Sequence, residues 1–301
     1  MHLSASSRPD SGFSLIELLV TLAVTLALGA TVVSVLHRAP EMFAVQTERA
    51  DMHQRLRVAV DSLSRDVGDS ASPVAFAPIL PYRAGADPPG TFKTNTVTVI
   101  SQHAGPGPPI TTTYWLKSDV AAVTFQLMSH AGGISPDVPV VDNVVALSFA
   151  YLGDPRPPTA RKPLDEPEGP WTTYGPVPAN VAIGDFAAGE NCVFVSDGSG
   201  IPAPRLAVLG PPGVALVPLD AAQLGDGPWC PDAGSADRWD ADLLRVRSVV
   251  VTIRVQAANA ALRGPAGALF VRGGTSRDAA RWLPDIETRV QIAPRNLNLE
   301  K

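Results

Sequence analysis

Residues 13–36 make an apolar run of 24 residues with a single charged side chain, Glu17. As an α-helix such a run is about 36 Å long, enough to cross a hydrocarbon core of about 30 Å. A carboxylate inside it costs about 2.5–3.5 kcal/mol even on the mild insertion scale, so something must offset that cost. An ordinary secretory signal fits poorly, because its apolar region has about 7–15 residues and its cleavage site follows that region. Residues 1–12 are short and polar, with Arg8 and His2 as their basic groups. His37 and Arg38 flank the far side, so the positive-inside rule does not fix an orientation.

The stretch Gly12-Phe13-Ser14-Leu15-Ile16-Glu17 that opens this run resembles the class III signal of type IV prepilins and type II secretion pseudopilins. The leader has fewer lysines and arginines than that family usually shows. The resemblance implies that prepilin peptidase cuts between Gly12 and Phe13 and that Phe13 is then methylated. It also implies an N-terminus on the inner side of the inner membrane and a head in the periplasm, with the chain moving into a pilus or pseudopilus on assembly. Glu17 acquires a physical role in that setting. An α-amine has a reference pKa of about 8, so it stays largely charged near neutral pH, and methylation keeps the charge. Glu17 lies one helical turn from it and can pair with its own terminus or, as the family implies, with a neighbour's. Desolvated opposite charges select one register, because a shift leaves a buried charge unpaired.

Beyond the run, Pro40 is expected to kink or briefly break the helix. Residues 41–67 read as an amphipathic helix, with Met52, Leu56, Val60, Leu63 and Val67 on one face and Gly68 as its stop. Residues 54–67 and the tail Pro294-Arg295-Asn296-Leu297-Asn298-Leu299 resemble large members of the same family, PilW-like minor pilins and J-type pseudopilins. The expected fold is α+β: a long N-terminal helix, one half membrane-spanning and one half amphipathic, packed on an antiparallel β-sheet head with long Pro/Gly-rich loops. Its parts are a leader (1–12), a helix (13–68, spanning the membrane over about 13–36) and a periplasmic head (69–301).

Within the head, the pattern of β-branched and apolar residues predicts strands over 94–101, 111–116 and 120–128, the last two joined by a turn at Lys117-Ser118-Asp119. One strand is expected over 138–152, with Val145, Leu147, Phe149 and Tyr151 on one face. The small residues Ala146, Ser148 and Ala150 on its other face point to a close neighbour, such as the helix. Eight prolines between Pro155 and Pro178 mark residues 153–190 as an irregular surface insertion. Short strands follow at 192–195 and 205–209, around the turn Asp197-Gly198-Ser199-Gly200. A strand over 243–256 and another over 286–293 read as an antiparallel hairpin with a long glycine-rich tip.

The chemistry of an enzyme is not visible. There is no G-x-S-x-G elbow and no P-loop, and no two of the five histidines have metal-ligand spacing. Catalytic residues, metal and cofactors are all expected to be none. A net charge of −5 gives no general attraction for nucleic acid. Asp240 and Asp242 are expected to be solvated, and Arg245, Arg247 and Arg254 to form a basic stripe with a structural or charge-pairing role. The two cysteines, Cys192 and Cys230, stand either as a disulfide or as separate thiols. A bridge would stabilise by about 4 kcal/mol in the loop-entropy model.

The resemblance implies a non-catalytic subunit near the tip of a type IV pilus that helps to initiate or cap assembly. Its implied partners are prepilin peptidase, other minor pilins or pseudopilins, and the major pilin, met through the N-terminal helix within the inner membrane. A J-type subunit of type II secretion has the same layout. A pilus-borne adhesin that uses the Cys192–Cys230 lobe as its binding surface is the alternative from a different class.

Overall fold

The computed structural model describes residues 14–70, 77–88, 90–101, 110–119, 124–157, 187, 190, 192–196, 202–230 and 239–295, with the backbone alone at 34–41, 124, 196 and 202. The leader, Phe13, most of the insertion expected over 153–190 and the turn expected at 197–200 lie outside the described residues. The chain divides into two compact units, residues 1–49 and 50–301. The described part of the first is helix throughout after Ser14. That helix, α1 (Leu15–Gly68), continues into the second unit and is 54 residues long. It runs through Pro40 without a break. One lost hydrogen bond, at about 3 kcal/mol, does not end a helix whose flanking turns are strong helix formers.

In the second unit the helix buries Met52, Ala59, Leu63 and Val67 completely, while Leu56 and Val60 are only half-buried. The face is therefore turned slightly from the one the larger side chains predict, and it includes the small Ala59. Opposite it, Arg57 and Asp61 pair in solvent at 3.6 Å. The end of the helix is tied to the head by polar contacts. The Tyr114 hydroxyl donates to Asp66 at 2.6 Å, and the Arg295 N–H donates to the Gly68 carbonyl at 3.0 Å. Burial, followed by the Asp66 carboxylate, raises the Tyr114 hydroxyl well above the usual tyrosine range.

Two antiparallel sheets form the body. The first is a meander in the order β1 (Ile79–Leu80), β2 (Thr96–Ser101), β3 (Ile110–Asp119), β4 (Thr124–His130), β5 (Val138–Asp142). β2 is buried on both faces, and its threonines stay satisfied: Thr98 shares a 2.8 Å hydrogen bond with Thr113 directly across the ladder and donates to the Tyr82 carbonyl at 2.5 Å. The β3–β4 hairpin differs from the expected one. Lys117, Ser118 and Asp119 are not its turn but the last rungs of β3, paired with Gln126, Phe125 and Thr124. They are exposed, so this end of the strand runs past the core, where polar residues cost nothing.

The second sheet has the order β13 (Ile286–Ile292), β12 (Val246–Val255), β6 (Val144–Gly153), β9 (Val217–Leu219). Here the expected strand over 138–152 proves to be two. Asn143 has φ 59°, a left-handed conformation that Asn tolerates better than most residues, and there the chain leaves the first sheet as β5 and enters the second as β6. Leu147, Phe149 and Tyr151 lie opposite Ile253, Val251 and Val249 of β12, which lie opposite Thr288, Val290 and Ile292 of β13. That face is the core. On the reverse face Ser148 and Ala150 are exposed, so the small residues do not mark a close neighbour.

The strand expected from 243 starts later. Residues Ala241–Arg245 form a 3-10 turn capped by Asp240, and β12 begins at Val246. The link between β12 and β13 is a packed lobe rather than an open tip. Phe270 meets Trp282 edge-to-face at 5.7 Å, and the Leu283 N–H donates to the Leu262 carbonyl at 2.8 Å. Gly264 passes so close to the Trp282 ring that a Cβ there would sit 2.6 Å from it. The remaining elements among the described residues are the ribbons β7 (Phe194–Ser196) with β8 (Pro202–Pro204) and β10 (Trp229–Cys230) with β11 (Trp239–Asp240), one helical turn, α2 (Ala221–Leu224), and the 3-10 turns Ala260–Leu262 and Ala279–Arg281. β8 lies earlier in the chain than the strand expected over 205–209.

Candidate functional site

The site that the sequence singles out is the start of α1. Ser14 caps it: its hydroxyl accepts from the Ile16 N–H at 3.2 Å and its carbonyl accepts from the Leu18 N–H at 3.1 Å. Glu17 then stands at the third helical position, the spacing of a capping box, where the positive end of the helix dipole favours an anion. This cap was readable as Ser14-x-x-Glu17, a pattern the reading of Glu17 as an ion-pair partner passed over.

From Leu15 to Val33 the helix is long and apolar enough to cross a bilayer, and none of it is buried by the rest of the protein. Leu15 is 78% exposed and Ile16 72%. Nineteen residues rise about 28 Å, close to a hydrocarbon core of about 30 Å. Its three threonine hydroxyls are satisfied internally. Thr21, Thr25 and Thr31 donate their hydroxyls to the carbonyls of Leu18, Thr21 and Leu28 at 2.9, 2.7 and 2.7 Å. A segment that meets no water needs this arrangement. The segment fits a single-pass membrane anchor. Gly12 and Phe13, the expected cleavage and methylation positions, lie outside the described residues.

The second candidate, the cysteine lobe, is a built structure. Cys192 and Cys230 form a disulfide with their Cα atoms 5.3 Å apart, and both residues are buried. The bridge joins the start of the β7–β8 ribbon to the β10–β11 ribbon. Beside it, Asp240 and Asp242 are not solvated as the sequence reading expects. Asp240 is 1% exposed and accepts from the Gly227 N–H at 2.6 Å and the Asp242 N–H at 2.8 Å. Desolvation pushes its carboxyl up to about 6, helped by the nearby Asp242 and Asp226 and opposed by those two N–H donors.

The basic stripe also dissolves. Arg245 is 1% exposed, pairs with Asp242, and donates to the carbonyls of Pro155 at 3.1 Å and Ala207 at 2.5 Å. Arg254 reaches Asp285 at 3.2 Å and the Ala268 carbonyl at 2.7 Å. Arg247 bonds the Leu244 and Val246 carbonyls. Each arginine secures a different loop. The sequence reading also missed a surface group in which Asp137 accepts from Arg83 at 2.7 Å and lies 3.1 Å from His130. Nothing in the local sequence signals it, because Arg83 and Asp137 are 54 positions apart. Among the described residues no group of three or more His, Cys, Asp or Glu is placed to hold a metal ion.

Residues 7–33 match the family described as the prokaryotic N-terminal methylation motif. Comparison of the chain with curated proteins and with solved structures gives no match. The matched segment takes in the exposed apolar stretch of α1 from Leu15 to Val33. Motif and apolar helix together support a type IV prepilin-like protein.

Proposed function

We propose that the chain is a non-catalytic assembly subunit, a minor pilin or pseudopilin. In this reading prepilin peptidase cuts between Gly12 and Phe13, Phe13 is methylated, and α1 holds the protein in the inner membrane with its head in the periplasm. The helix then packs with those of other minor pilins or pseudopilins and of the major pilin, and the subunit helps to start or cap a type IV pilus. One observation carries the reading: the methylation motif and the unburied apolar helix coincide, and Glu17 is the single charge between Leu15 and Val33. A carboxylate so placed needs a cation, and the new amine on Phe13 supplies one within a helical turn.

Two substitutions test it. Gly12→Leu puts a bulky side chain where glycine lets a peptidase approach the backbone, and mass spectrometry of the membrane fraction is expected to find the uncut chain. A mature N-terminus at Phe13 despite the substitution refutes the cleavage assignment. Glu17→Ala is expected to leave cleavage intact and to weaken incorporation into the fibre. Wild-type incorporation by a correctly processed Glu17→Ala chain removes the charge-pairing role.

A further inference from the structure

Among the described residues, the two larger sheets have four edge strands: β1, β5, β9 and β13. Three of them are guarded. β1 has two residues. β5 carries Pro139 and a register irregularity against Leu127 and Met128 of β4. β9 has three residues with Pro218 at its centre. Shortness, proline and bulges are the devices that keep a sheet edge from recruiting another strand. β13 has none of them. It is seven residues long, Ile-Glu-Thr-Arg-Val-Gln-Ile, without proline, glycine or lysine, and its register on β12 is unbroken from Val249↔Ile292 to Val255↔Ile286.

The charges on β13 point to one occupant. Glu287 and Arg289 lie on the same exposed face of the strand, two residues apart. A second copy of β13 laid antiparallel along the free edge, with Thr288 facing Thr288, sets each Glu287 opposite the second copy's Arg289. The same register sets Ile286 opposite Val290 twice, on the core side. Centring the pair on Glu287 or on Arg289 instead brings like charges face to face, which destabilises a ladder. Attraction and repulsion therefore select a single register, and the contact is self-complementary about a twofold axis.

We propose that β13 is a dimerisation edge, at which two copies of this chain join their sheets antiparallel around Thr288. Directly opposed residues of antiparallel strands have Cα atoms about 4.5–5.5 Å apart, within the about 4.4–6.8 Å that a disulfide spans. Thr288→Cys in the full-length chain in its membrane adds the only free thiol among the described residues, since Cys192 and Cys230 are joined. Mild oxidation is expected to give a covalent homodimer, well above the level from Gln291→Cys three positions along the same strand. Glu287→Arg or Arg289→Glu, added singly to Thr288→Cys, is expected to lower the cross-linked fraction about tenfold, because two attractive cross-strand pairs become repulsive. The two together exchange the charges across the seam and are expected to restore it; because Glu287 also lies opposite Arg254 of β12, urea unfolding of each variant separates loss of pairing from misfolding. If Thr288→Cys does not accumulate, sedimentation of the unsubstituted, singly reversed and exchanged chains in detergent reads the same pattern. The proposal is overturned by cross-linking no greater than at position 291, by indifference to the single reversals, by failure of the exchange to restore the dimer, or by a cross-link to a different protein.

Discussion

A carboxyl group folded into the base of a 3-10 turn is easier to bury with its proton than without it, and Asp240 is in that position. Its folded pKa of about 6 lies above the value of about 4 that it has in an unfolded chain. Between those values the folded state holds a proton that the unfolded state has released. Stability from this group is therefore full at low pH, falls as pH rises from about 4 to about 6, and is flat beyond. Burial also raises Asp242 and Asp285, which add to the same trend. Asp137, held low by Arg83 first, acts in the opposite sense, losing stability as pH falls through its folded pKa. Asp240→Asn should lower the melting temperature at every pH, because one of two N–H donors then faces an amide NH2, but it should reduce the decline between pH 4 and 6. An unchanged pH slope refutes the assignment. The neighbouring Arg245 carries a larger mechanical role. Arg245→Met strands Asp242 and two carbonyls, and a loss of about 3–5 kcal/mol is expected from urea unfolding. A loss under about 1 kcal/mol would mean that the pair is solvated after all.

At the scale of elements, the places where the sequence misled share one cause. Alternation shows which residues face a core but not which sheet supplies it. The run from 138 to 152 alternates well enough to read as one strand, yet Asp142-Asn143 divides it between two sheets; the turn-forming pair was present and was outweighed by its apolar flanks. Lys117-Ser118-Asp119 looks like a turn by composition and is strand by pairing, because an overhanging rung has no core to satisfy. The β12–β13 hairpin was legible because both strands alternate and lie in one sheet. Asn143 also offers a test. Asn143→Val forces a β-branched residue to positive φ and should destabilise by about 1–3 kcal/mol, whereas Asn143→Gly should stay within about 1 kcal/mol of the parent. Equal urea midpoints for the two variants would show that the turn is not set by that residue's conformation. On α1, Ala59 tells a similar story. The larger Val60 drew attention in the sequence, while Ala59 is the one fully buried. Ala59→Leu is expected to overpack and cost about 1–3 kcal/mol, where Val60→Leu is tolerated. The reverse order in denaturation experiments would put the buried face back on Val60.

For the whole molecule, the anchor was legible because a bilayer asks for length and apolarity, both of which are composition, while the head asks for pairings between distant residues, which composition does not carry. The disulfide lies between these cases: two cysteines limit the choice to one bridge or none, and only the fold brings Cys192 and Cys230 to 5.3 Å. Its worth follows from what it closes. Among the described residues from 193 to 229 there are two three-residue strands of a ribbon, the short β9, a single helical turn and the first residue of β10, so little of their own secondary structure holds them in place. Cross-linking that loop removes freedom from the unfolded chain, by about 4 kcal/mol in the chain-entropy model, and measured bridges often give about 2–4. In the folded state both sulfurs are buried, so a reductant should act slowly on the native protein and quickly once urea opens it. The double variant Cys192→Ala/Cys230→Ala, as full-length chain in detergent, is expected to unfold with a stability loss in that range. Limited proteolysis should then cut first within residues 193–229 and leave the β6–β12–β13 ladder intact. If the ladder is cut as early as the loop, the bridge secures the whole head rather than this lobe. If neither stability nor cleavage changes, packing alone holds the lobe and the disulfide contributes nothing to it.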